Sequence, residues 1–233
     1  MKTAAAEGEA GDEDLFSSPA VCGTAGRGHF ETYDGRREPA NLIMMRTIKT
    51  IIRVLRFLPV LPWVDWGDRR LQMDIDRWAD IWGMRGGRER TLSALLMDHP
   101  EFRNLFIYRN RSRRFFRSWI RLWYRPVDTL FLEAGEIGGG LFIQHGFATM
   151  VAADSIGENC WINQQVTIGY SGTGRPPVIG NNVMITCGAK VLGNITVGDN
   201  AVIGANAVVI RDVPTGVKVG GIPAHILGEK GTE

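Results

Sequence analysis

Aliphatic residues return at every sixth position in the second half of the chain. The stretch IGENCWINQQVTIG, residues 156 to 169, has isoleucine at 156, 162 and 168. An α-helix repeats about every 3.6 residues and a strand about every 2, so neither element alone explains this spacing. The pattern begins at Ile137, contains one extra residue before Met150 and is interrupted by YSGTGRPPV. Its aliphatic positions are Ile137, Ile143, Met150, Ile156, Ile162, Ile168, Ile179, Ile185, Val191, Val197, Ile203 and Val209.

Each six-residue unit predicts one short strand and a corner, and three units predict one turn of a triangular β-helix. The aliphatic residue should point inward, and a small or β-branched residue should fit near the corner. Such residues stand four places later, at Cys160, Val166, Val183, Ala189, Ile195, Ala201 and Ala207. Glycine follows the aliphatic residue at 157, 169, 180, 198 and 204, and we expect it to relieve the bend. A β-sandwich is also rich in Val and Gly, but its strands vary in length and would lose the phase.

The first half of the chain has a different pattern. Residues 46–126 are predicted to be α-helical, because DIDRWADIWGM places Ile75, Trp78, Ile81 and Trp82 at helical spacing and TLSALLMDHPEF continues until Pro100 ends it. Residues 1–45 are rich in Gly, Ala and acidic residues and are predicted to be mostly disordered. The β-helix should occupy residues 127–223, and residues 224–233 should form a short polar tail.

Composition adds few constraints. The 233 residues carry a net charge of +2, too balanced to indicate nucleic-acid binding. Cys22, Cys160 and Cys187 are far apart, which fits a reducing compartment and suggests neither a disulfide framework nor a zinc site. The apolar stretch TIIRVLRFLPVLPWV is too short and too charged to span a bilayer. We therefore expect a cytoplasmic protein.

Several segments resemble the hexapeptide-repeat acyltransferases, in particular serine acetyltransferases and their relatives in bacterial surface-polysaccharide operons. These are IGENCWINQQVTIGY, GAKVLGNITVGDNAVIGANAVV and VGGIPAHIL, and LMDHPEFRNLFIYR resembles the end of the helical domain of serine acetyltransferases. The resemblance covers roughly residues 90–226. It implies a left-handed parallel β-helix with an N-terminal α-helical segment, an exception to the usual right-handed crossover. It also implies a homotrimer or a dimer of trimers, with acetyl-CoA as co-substrate in the groove between neighbouring prisms.

His145, in FIQHGFA, is the one histidine of four that lies within the repeats. An acceptor hydroxyl must lose its proton as it attacks a thioester, and imidazole suits this because it titrates near neutral pH. The resemblance places the catalytic base of the family at His145, with direct transfer and no acyl-enzyme. The alternative is a solvent-facing corner histidine without a catalytic role.

The chain departs from the serine acetyltransferase pattern around this histidine. Gln144 stands where that family has an aspartate, Leu130 aligns with a second aspartate, and Pro176 replaces a histidine although Arg175 is kept. The resemblance still assigns Gln144 and Arg175 to substrate binding, and Glu133 is a candidate to orient the base. Both serine and a sugar hydroxyl of a surface polysaccharide stay open as acceptors, and N-acetylation of an amino sugar is a third possibility.

The resemblance also implies an acetyl-CoA site. The matching positions are Thr167, Gly169, Cys187, Gly188 and Ala205, with Arg211 for the CoA phosphates. Small residues there would let the pantetheine approach the backbone, although each is also explained as a corner residue, and Arg211 as a solvated charge. Cys187 follows a repeat aliphatic without a cationic motif nearby, which favours a structural thiol over a nucleophile.

The segment RNLFIYRNRSRRFFRSWIRLWYRP, within residues 103–126, combines arginines with aromatic residues and has no acid. It could contact an anionic membrane peripherally, or it could be an amphipathic helix packed on the β-helix. The segment contains no known nucleic-acid-binding motif that would support binding to DNA or RNA.

Two other functional classes are compatible with a β-helix. A zinc enzyme on this fold would need three histidines, so no metal is expected. A non-catalytic scaffold remains an alternative. The chain ends in LGEKGTE rather than in the terminal isoleucine by which serine acetyltransferases dock on the next enzyme of cysteine synthesis, and we expect no such complex.

Overall fold

A computed structural model describes residues 40–172 and 174–228. The chain divides into two compact units, residues 1–45 and residues 46–233. Of the first unit, the structure describes residues 40–45, which begin a helix inside the segment expected to be disordered. The rest of that segment lies outside the described residues. The second unit contains a helical segment followed by a parallel β-helix.

The described residues before the first strand form five α-helices and one 3₁₀ turn. The helices are α1 (Ala40–Phe57), α2 (Arg69–Ile81), α3 (Arg88–Asp98), α4 (Pro100–Arg109) and α5 (Arg114–Trp123), and the 3₁₀ turn is Leu61–Trp63. Pro100 occupies the first turn of α4, where its missing N–H is not needed, and α3 ends two residues earlier. The predicted helix stop at Pro100 is therefore confirmed.

Two buried contacts fasten the helices to the first turn of the β-helix. The Trp78 indole packs on the Phe142 ring at 4.6 Å between centroids and donates a hydrogen bond of 2.8 Å to the Leu141 carbonyl. Arg109 forms a buried ion pair with Asp74 at 2.8 Å, and the Gly140 N–H donates to the same carboxylate at 2.7 Å. Burial raises the pKa of Asp74 to about 6, although both partners act to lower it.

The β-helix consists of short strands arranged in three parallel sheets. The strands are β1 (Leu130–Leu132), β2 (Glu136–Ile137), β3 (Phe142–Ile143), β4 (Thr149–Val151), β5 (Ser155–Ile156), β6 (Trp161–Ile162), β7 (Thr167–Gly169), β8 (Val178–Ile179), β9 (Met184–Ile185), β10 (Lys190–Leu192), β11 (Thr196–Val197), β12 (Val202–Ile203), β13 (Val208–Val209), β14 (Lys218–Gly220) and β15 (His225–Ile226). The first sheet is β1-β4-β7-β10-β13, the second is β2-β5-β8-β11, and the third is β3-β6-β9-β12-β14 with β15 antiparallel at its end. One strand from each sheet makes one turn, and the five strands of the first sheet correspond to about five turns.

The aliphatic phase read from the sequence is confirmed at every position but one. Eleven of the twelve aliphatic residues, all except Met150, are buried, and so are the seven small or β-branched residues. Met150 is 40% exposed, and its neighbour Val151 is fully buried instead. The prediction for Met150 is wrong because the next inward position follows Ile143 by eight positions, at Val151, and not by seven. The corner between β3 and β4 is therefore longer than expected.

The repeat glycines serve a different purpose from the one predicted. Gly157, Gly180 and Gly198 have no positive φ, so they do not relieve the bend. A Cβ at Gly157 would lie 2.6 Å from the Gly180 backbone, and one at Gly198 would lie 2.6 Å from the Thr215 nitrogen. Successive turns thus approach too closely here for any side chain. Left-handed backbone instead falls two residues later, at Asn159, Asn182 and Asn200, a residue type that tolerates it.

The ends of the two regions lie near the expected boundaries. The last helix ends at Trp123 and the first strand begins at Leu130, on either side of the boundary placed at residues 126 and 127. Strand β15 lies beyond residue 223, within the segment expected to be a polar tail. Across residues 40–172 and 174–228, no helix is both long enough and apolar enough to cross a membrane.

Candidate functional site

His145 lies on the most irregular corner between the third and first sheets. This corner, residues 144–148, follows β3 and is here called the His145 corner. Across it, the inward residue Val151 follows Ile143 by eight positions, whereas Ile168 follows Ile162 by six in the next turn. The side chain of His145 is exposed, and Thr129 holds the end of the corner by accepting a hydrogen bond of 3.1 Å from the Ala148 N–H at its hydroxyl.

The backbone of the His145 corner is strained. His145 has φ of 60° and Ala148 has φ of 51°. Left-handed backbone is uncommon for residues other than glycine, and such outliers concentrate at functional sites. The following turns have one left-handed residue each at this edge, at Gln165, Gly188 and Asn206. The two extra residues and the second outlier therefore distinguish the His145 corner from its neighbours.

His145 begins a column of equivalent residues along this edge. The pairing of β3 with β6, of β6 with β9 and of β9 with β12 aligns His145 with Gln164, Cys187 and Ala205. Side-chain size falls along the column, from imidazole to methyl. The two predicted acetyl-CoA positions Cys187 and Ala205 thus lie in line with the predicted base.

Two amide oxygens in the turn above His145 lack a partner. The Asn163 Oδ1 and Gln164 Oε1 atoms are buried and accept no hydrogen bond from any described residue. Asn163 is the equivalent of Gln144, whose backbone N–H donates to the Ile162 carbonyl at 2.9 Å. A buried acceptor without a donor costs free energy. The turn next to His145 therefore contains two buried acceptors without a donor among the described residues.

Helix α4 brings a carboxylate to the His145 corner that the sequence interpretation missed. A Cβ at Gly146, the residue after His145, would lie 3.1 Å from Glu101 Cγ and 2.9 Å from Leu130 Cδ2. Glu101 is half-buried and makes no hydrogen bond or ion pair with the residues that the structure describes. Leu130 is buried at the position where the resemblance expected an aspartate. No local pattern marks Glu101, because it reaches the corner through tertiary packing.

The predicted site residues fall on two edges of the first sheet. Gln144, His145, Cys187, Gly188 and Ala205 lie at the edge where the strands of this sheet begin, here called the His145 edge, and Thr167 is the first residue of β7 at that edge. Gly169, Arg175 and Arg211 lie at the opposite edge, where the strands end, here called the Arg175 edge. Arg175 and Arg211 are exposed.

Within one chain, the structure does not bring the two edges together. A strand of the first sheet such as β1 separates them, and its three residues span about 10 Å. Glu133 follows β1 on the Arg175 edge and is exposed. Glu133 and His145 start from opposite edges of the sheet within a single chain, and the role of Glu133 as the group that orients His145 stays a prediction.

Thr167 has a neighbour that sequence reasoning also missed. The Lys190 ammonium donates hydrogen bonds to the Thr167 hydroxyl at 3.1 Å and to the Gln165 carbonyl at 2.7 Å. Both residues lie on first-sheet strands, β7 and β10, in adjacent turns. A positive charge is thus held at the His145 edge, beside the column of small residues.

The two described cysteines have different surroundings. Cys160 is buried, its thiol lies 3.1 Å from the Gly180 carbonyl, and burial raises its pKa to about 11, which makes it a structural thiol. Cys187 is half-buried in the His145 column. Among residues 40–172 and 174–228, no group of three or more His, Cys, Asp and Glu side chains could hold a metal ion.

A cavity of about 490 Å³ lies beside β1, away from the His145 column. Residues from α4, α5 and β1 line it, including Arg117, Arg121, Asp128 and Glu133. Neither His145 nor any of the predicted acetyl-CoA positions contributes to its walls. The geometry of the His145 corner, rather than the presence of a cavity, therefore identifies the candidate site.

Comparisons with known proteins agree with this fold. The family of bacterial transferase hexapeptide repeats (six repeats) matches residues 176–211. The serine acetyltransferase of Synechococcus elongatus is 46% identical over 100 residues, which are 41% of this chain and 41% of that protein. The chain thus matches less than half the length of this curated relative.

Solved structures give wider coverage. A serine acetyltransferase in complex with CoA is 31% identical, with a TM-score of 0.53, over 67% of this chain and 68% of that one. The serine acetyltransferase of Neisseria gonorrhoeae in complex with serine is 26% identical, with a TM-score of 0.53, over 69% of this chain and 68% of that one. The chain therefore belongs to the hexapeptide-repeat acyltransferases, and the relatives named here are serine acetyltransferases.

Proposed function

We propose that this chain transfers an acetyl group from acetyl-CoA to a hydroxyl group, with serine as the first acceptor to consider. The observation that carries the proposal is the exposed, left-handed His145 on the irregular corner of a β-helix shared with serine acetyltransferases. Structures of two such relatives are complexes with CoA and with serine, which are one product of this reaction and its acceptor substrate.

His145 acts as the general base. As the acceptor oxygen attacks the thioester carbonyl, its proton passes to the imidazole, and a carbon–oxygen bond forms while the carbonyl becomes an oxyanion. The oxyanion then collapses, the carbon–sulfur bond breaks, and the imidazolium returns the proton to the departing thiolate. The products are CoA and an acetyl ester, so no acyl-enzyme is needed.

The acetyl-CoA site uses the narrow side chains of the His145 column. Cys187, Gly188 and Ala205 leave space for a pantetheine chain along the edge, and this space leads toward His145. Gly169 and Arg211 lie at the other edge, with Arg211 free to meet phosphates. In the groove between neighbouring chains, a single CoA molecule contacts both groups when the His145 edge of one chain faces the Arg175 edge of the other.

A homotrimer satisfies that requirement. The Arg175 edge of one chain would then face the His145 edge of its neighbour, so that Arg175 and His145 act on one acceptor. The approximate 10 Å width of a first-sheet strand supports this arrangement, because one chain keeps the edges apart. A dimer of trimers would contain the same sites.

Glu101 offers a carboxylate for the acceptor. Gln144 cannot hold an ammonium group by charge, and neither can the buried Leu130. Glu101 lies against Gly146, adjacent to His145, and has no described hydrogen-bonding or ion-pair partner. We assign it to the ammonium group of serine, a contact that a charge-assisted hydrogen bond would strengthen.

A sugar hydroxyl is the second candidate acceptor. The observation that favours it is Gln144, a neutral hydrogen-bonding side chain directly before His145, together with the unpartnered amide oxygens of Asn163 and Gln164. Amides of this kind bind hydroxyl groups without requiring charge. If a sugar is the acceptor, Glu101 would accept hydrogen bonds from hydroxyl groups instead of pairing with an ammonium.

Thiol release from acetyl-CoA tests the proposal. Thiol release by the purified protein is measured with serine and with a panel of free and nucleotide-linked sugars as acceptors. The same measurements are made on the His145→Asn variant. Turnover with serine that disappears in the variant is the expected result. Turnover with sugars alone would move the acceptor to the second candidate. Unchanged turnover in His145→Asn would overturn the mechanism.

A further inference from the structure

Helix α5 presents three stripes with different chemistry. Phe116 and Ile120 are buried against the protein. Phe115 and Leu122 protrude, with 95% and 83% of their surface exposed. Arg114, Arg117 and Arg121 form the third stripe at helical spacing. An apolar stripe beside a basic stripe on one helix is typical of segments that lie in the plane of a membrane surface.

The end of α1 extends this apolar surface. Leu55 and Leu58 are more than half exposed, and Trp63 in the following 3₁₀ turn is equally exposed. Trp63 stacks on Phe116 at 5.9 Å between ring centroids, and the Trp123 indole donates to the Arg56 carbonyl at 2.9 Å. These contacts place the end of α1 beside α5.

An open apolar cavity joins the two elements. Its volume is about 400 Å³, and it is lined by Pro59, Trp63, Phe115, Phe116 and Trp119. We use the name docking surface for Leu55, Leu58, Trp63, Phe115, Trp119 and Leu122. Aromatic side chains with an apolar body and a polar edge are favoured where water meets hydrocarbon.

The arginines of this region divide by their partners. Arg109 pairs with Asp74, Arg103 donates to the Leu96 carbonyl, and Arg111 donates to the Gly135 carbonyl. By contrast, Arg114, Arg117 and Arg121 make no hydrogen bond or ion pair within the described part of the chain. No acidic residue occurs between residues 46 and 64 or between residues 102 and 127. In the fold, Asp128 and Glu133 line the same cavity as Arg117 and Arg121, so the nearest described carboxylates lie on the side of the basic stripe that faces β1.

We propose that the docking surface binds the surface of an anionic lipid bilayer. Its apolar side chains would enter the boundary between headgroups and acyl chains, while Arg114, Arg117 and Arg121 contact the lipid phosphates. A second copy of this chain fits less well. A symmetric contact would bring the same α5 arginines of two chains together, and like charges facing one another weaken association. This inference is independent of the acetyl-transfer chemistry.

Vesicle flotation with the full-length chain tests the inference. The probes are vesicles of phosphatidylcholine alone and vesicles with about one-third phosphatidylglycerol. The wild-type protein is expected to float with the anionic vesicles and to be released at about 0.5 M salt, where charges are screened. Phe115→Ser with Leu122→Ser should lower binding by about tenfold or more, because the lost contacts are apolar. Arg114→Gln, Arg117→Gln and Arg121→Gln combined should lower it by about a hundredfold.

Matched variants control for general effects. Ile222→Ser alters an apolar side chain that is 75% exposed on the far end of the β-helix, and it should leave flotation unchanged. The combined change Arg69→Gln, Arg85→Gln and Arg90→Gln removes the same charge from α2, the loop after it and the start of α3, and it should matter little. Acetyl transfer to a small soluble acceptor should be unaffected in the docking-surface variants.

Three results would overturn the inference. One is a wild-type protein that does not float with anionic vesicles. Another is equal flotation of the wild type and of the Phe115→Ser, Leu122→Ser variant. The third combines two observations: the wild type does not bind vesicles, and the variant has a lower oligomer mass than the wild type in sedimentation velocity. This result would assign the docking surface to contacts between copies of the chain.

Discussion

The β-helix and the helical segment treat their apolar residues in opposite ways. In the β-helix, all but one of the aliphatic residues of the six-residue pattern are buried. In the helical segment, Leu55, Leu58, Phe115 and Leu122 remain at the surface although Ile75, Trp78 and Phe102 form a core nearby. The interior of the β-helix is filled by its repeat residues, whereas the helical segment has apolar side chains left at the surface.

The comparison indicates where function is to be found in each region. Every turn of the β-helix must match the next through backbone hydrogen bonds and close glycine contacts, so an irregular corner has to be specified by its own residues. His145 lies on such a corner. The helices have no comparable constraint, and their functional feature is an exposed surface rather than a strained residue.

The largest expected effect concerns the irregular corner. His145→Asn should lower kcat by about 10²–10⁴-fold, because the base is lost, and asparagine tolerates the left-handed backbone. The unfolding midpoint should barely move, since the side chain is exposed. Gln165→Asn in the next turn, also left-handed and exposed, is the control and should keep its activity. Steady-state thiol release and circular dichroism measure both quantities.

The second prediction compares two arginines of the same segment. Arg109→Met should cost about 3–5 kcal/mol of unfolding free energy, because it leaves the buried Asp74 carboxylate without its partner. Arg117→Met should change stability by less than about 0.5 kcal/mol, since Arg117 has no partner among the described residues. Urea denaturation followed by fluorescence distinguishes them. Similar losses in both variants would contradict the division of the arginines into structural and surface groups.

The third prediction concerns the close approach of turns in the β-helix. Gly157→Ala should cost about 1–3 kcal/mol, because its Cβ would meet the Gly180 backbone at 2.6 Å. Gly169→Ala should leave stability nearly unchanged, since no atom lies within 4 Å of its Cβ position. Thermal and urea unfolding of the two variants give the comparison. Equal stability of both would mean that the turns can separate without cost.

Gly169→Ala also bears on the acetyl-CoA site. If the pantetheine passes along this position, the added methyl group should raise the KM for acetyl-CoA while leaving stability unchanged. An unaltered KM would remove Gly169 from the proposed site.

The smallest expected effect concerns Glu101. Glu101→Gln should raise the KM for serine by about tenfold with a smaller change in kcat, because a charge-assisted contact to the ammonium group becomes neutral. Glu136→Gln, an exposed carboxylate on β2, is the control. An unchanged KM for serine in Glu101→Gln would show that Glu101 does not hold the acceptor. A KM near the wild-type value in Glu101→Asp would show that the negative charge is what holds the ammonium group.

Much of the fold could be predicted from the sequence because the pattern of the β-helix is local and repeated. Its aliphatic and small positions are buried as expected. The sequence pattern predicts Met150, and not Val151, at the inward position because both residues are apolar. Which of the two side chains points inward depends on the pairing of β4 with the adjacent strands β1 and β7. The repeat glycines lie where the pattern predicts them, but glycine is required there because successive turns come close together. The sequence of one six-residue unit does not reveal that contact.

The candidate site was harder to predict for the same physical reason. His145 carries a local signal, since it is the one histidine within the repeats. Glu101 does not, because it lies on α4 and reaches Gly146 across a long stretch of chain. The predicted residues lie on two edges of the first sheet because of the way the β-helix winds. Their separation can be seen only after each strand has been assigned to its sheet.

The central claim is that the His145 edge of one chain and the Arg175 edge of another form one acetyl-transfer site. Subunit mixing tests this most directly: His145→Asn and Arg175→Ala proteins, each inactive or nearly so, are unfolded together, refolded and assayed for thiol release. Random assembly into trimers should restore about a quarter of the wild-type activity, because about one site in four receives both intact residues from different chains. Activity no higher than the average of the two variants, in mixtures that native mass spectrometry shows to contain mixed oligomers, would contradict the claim.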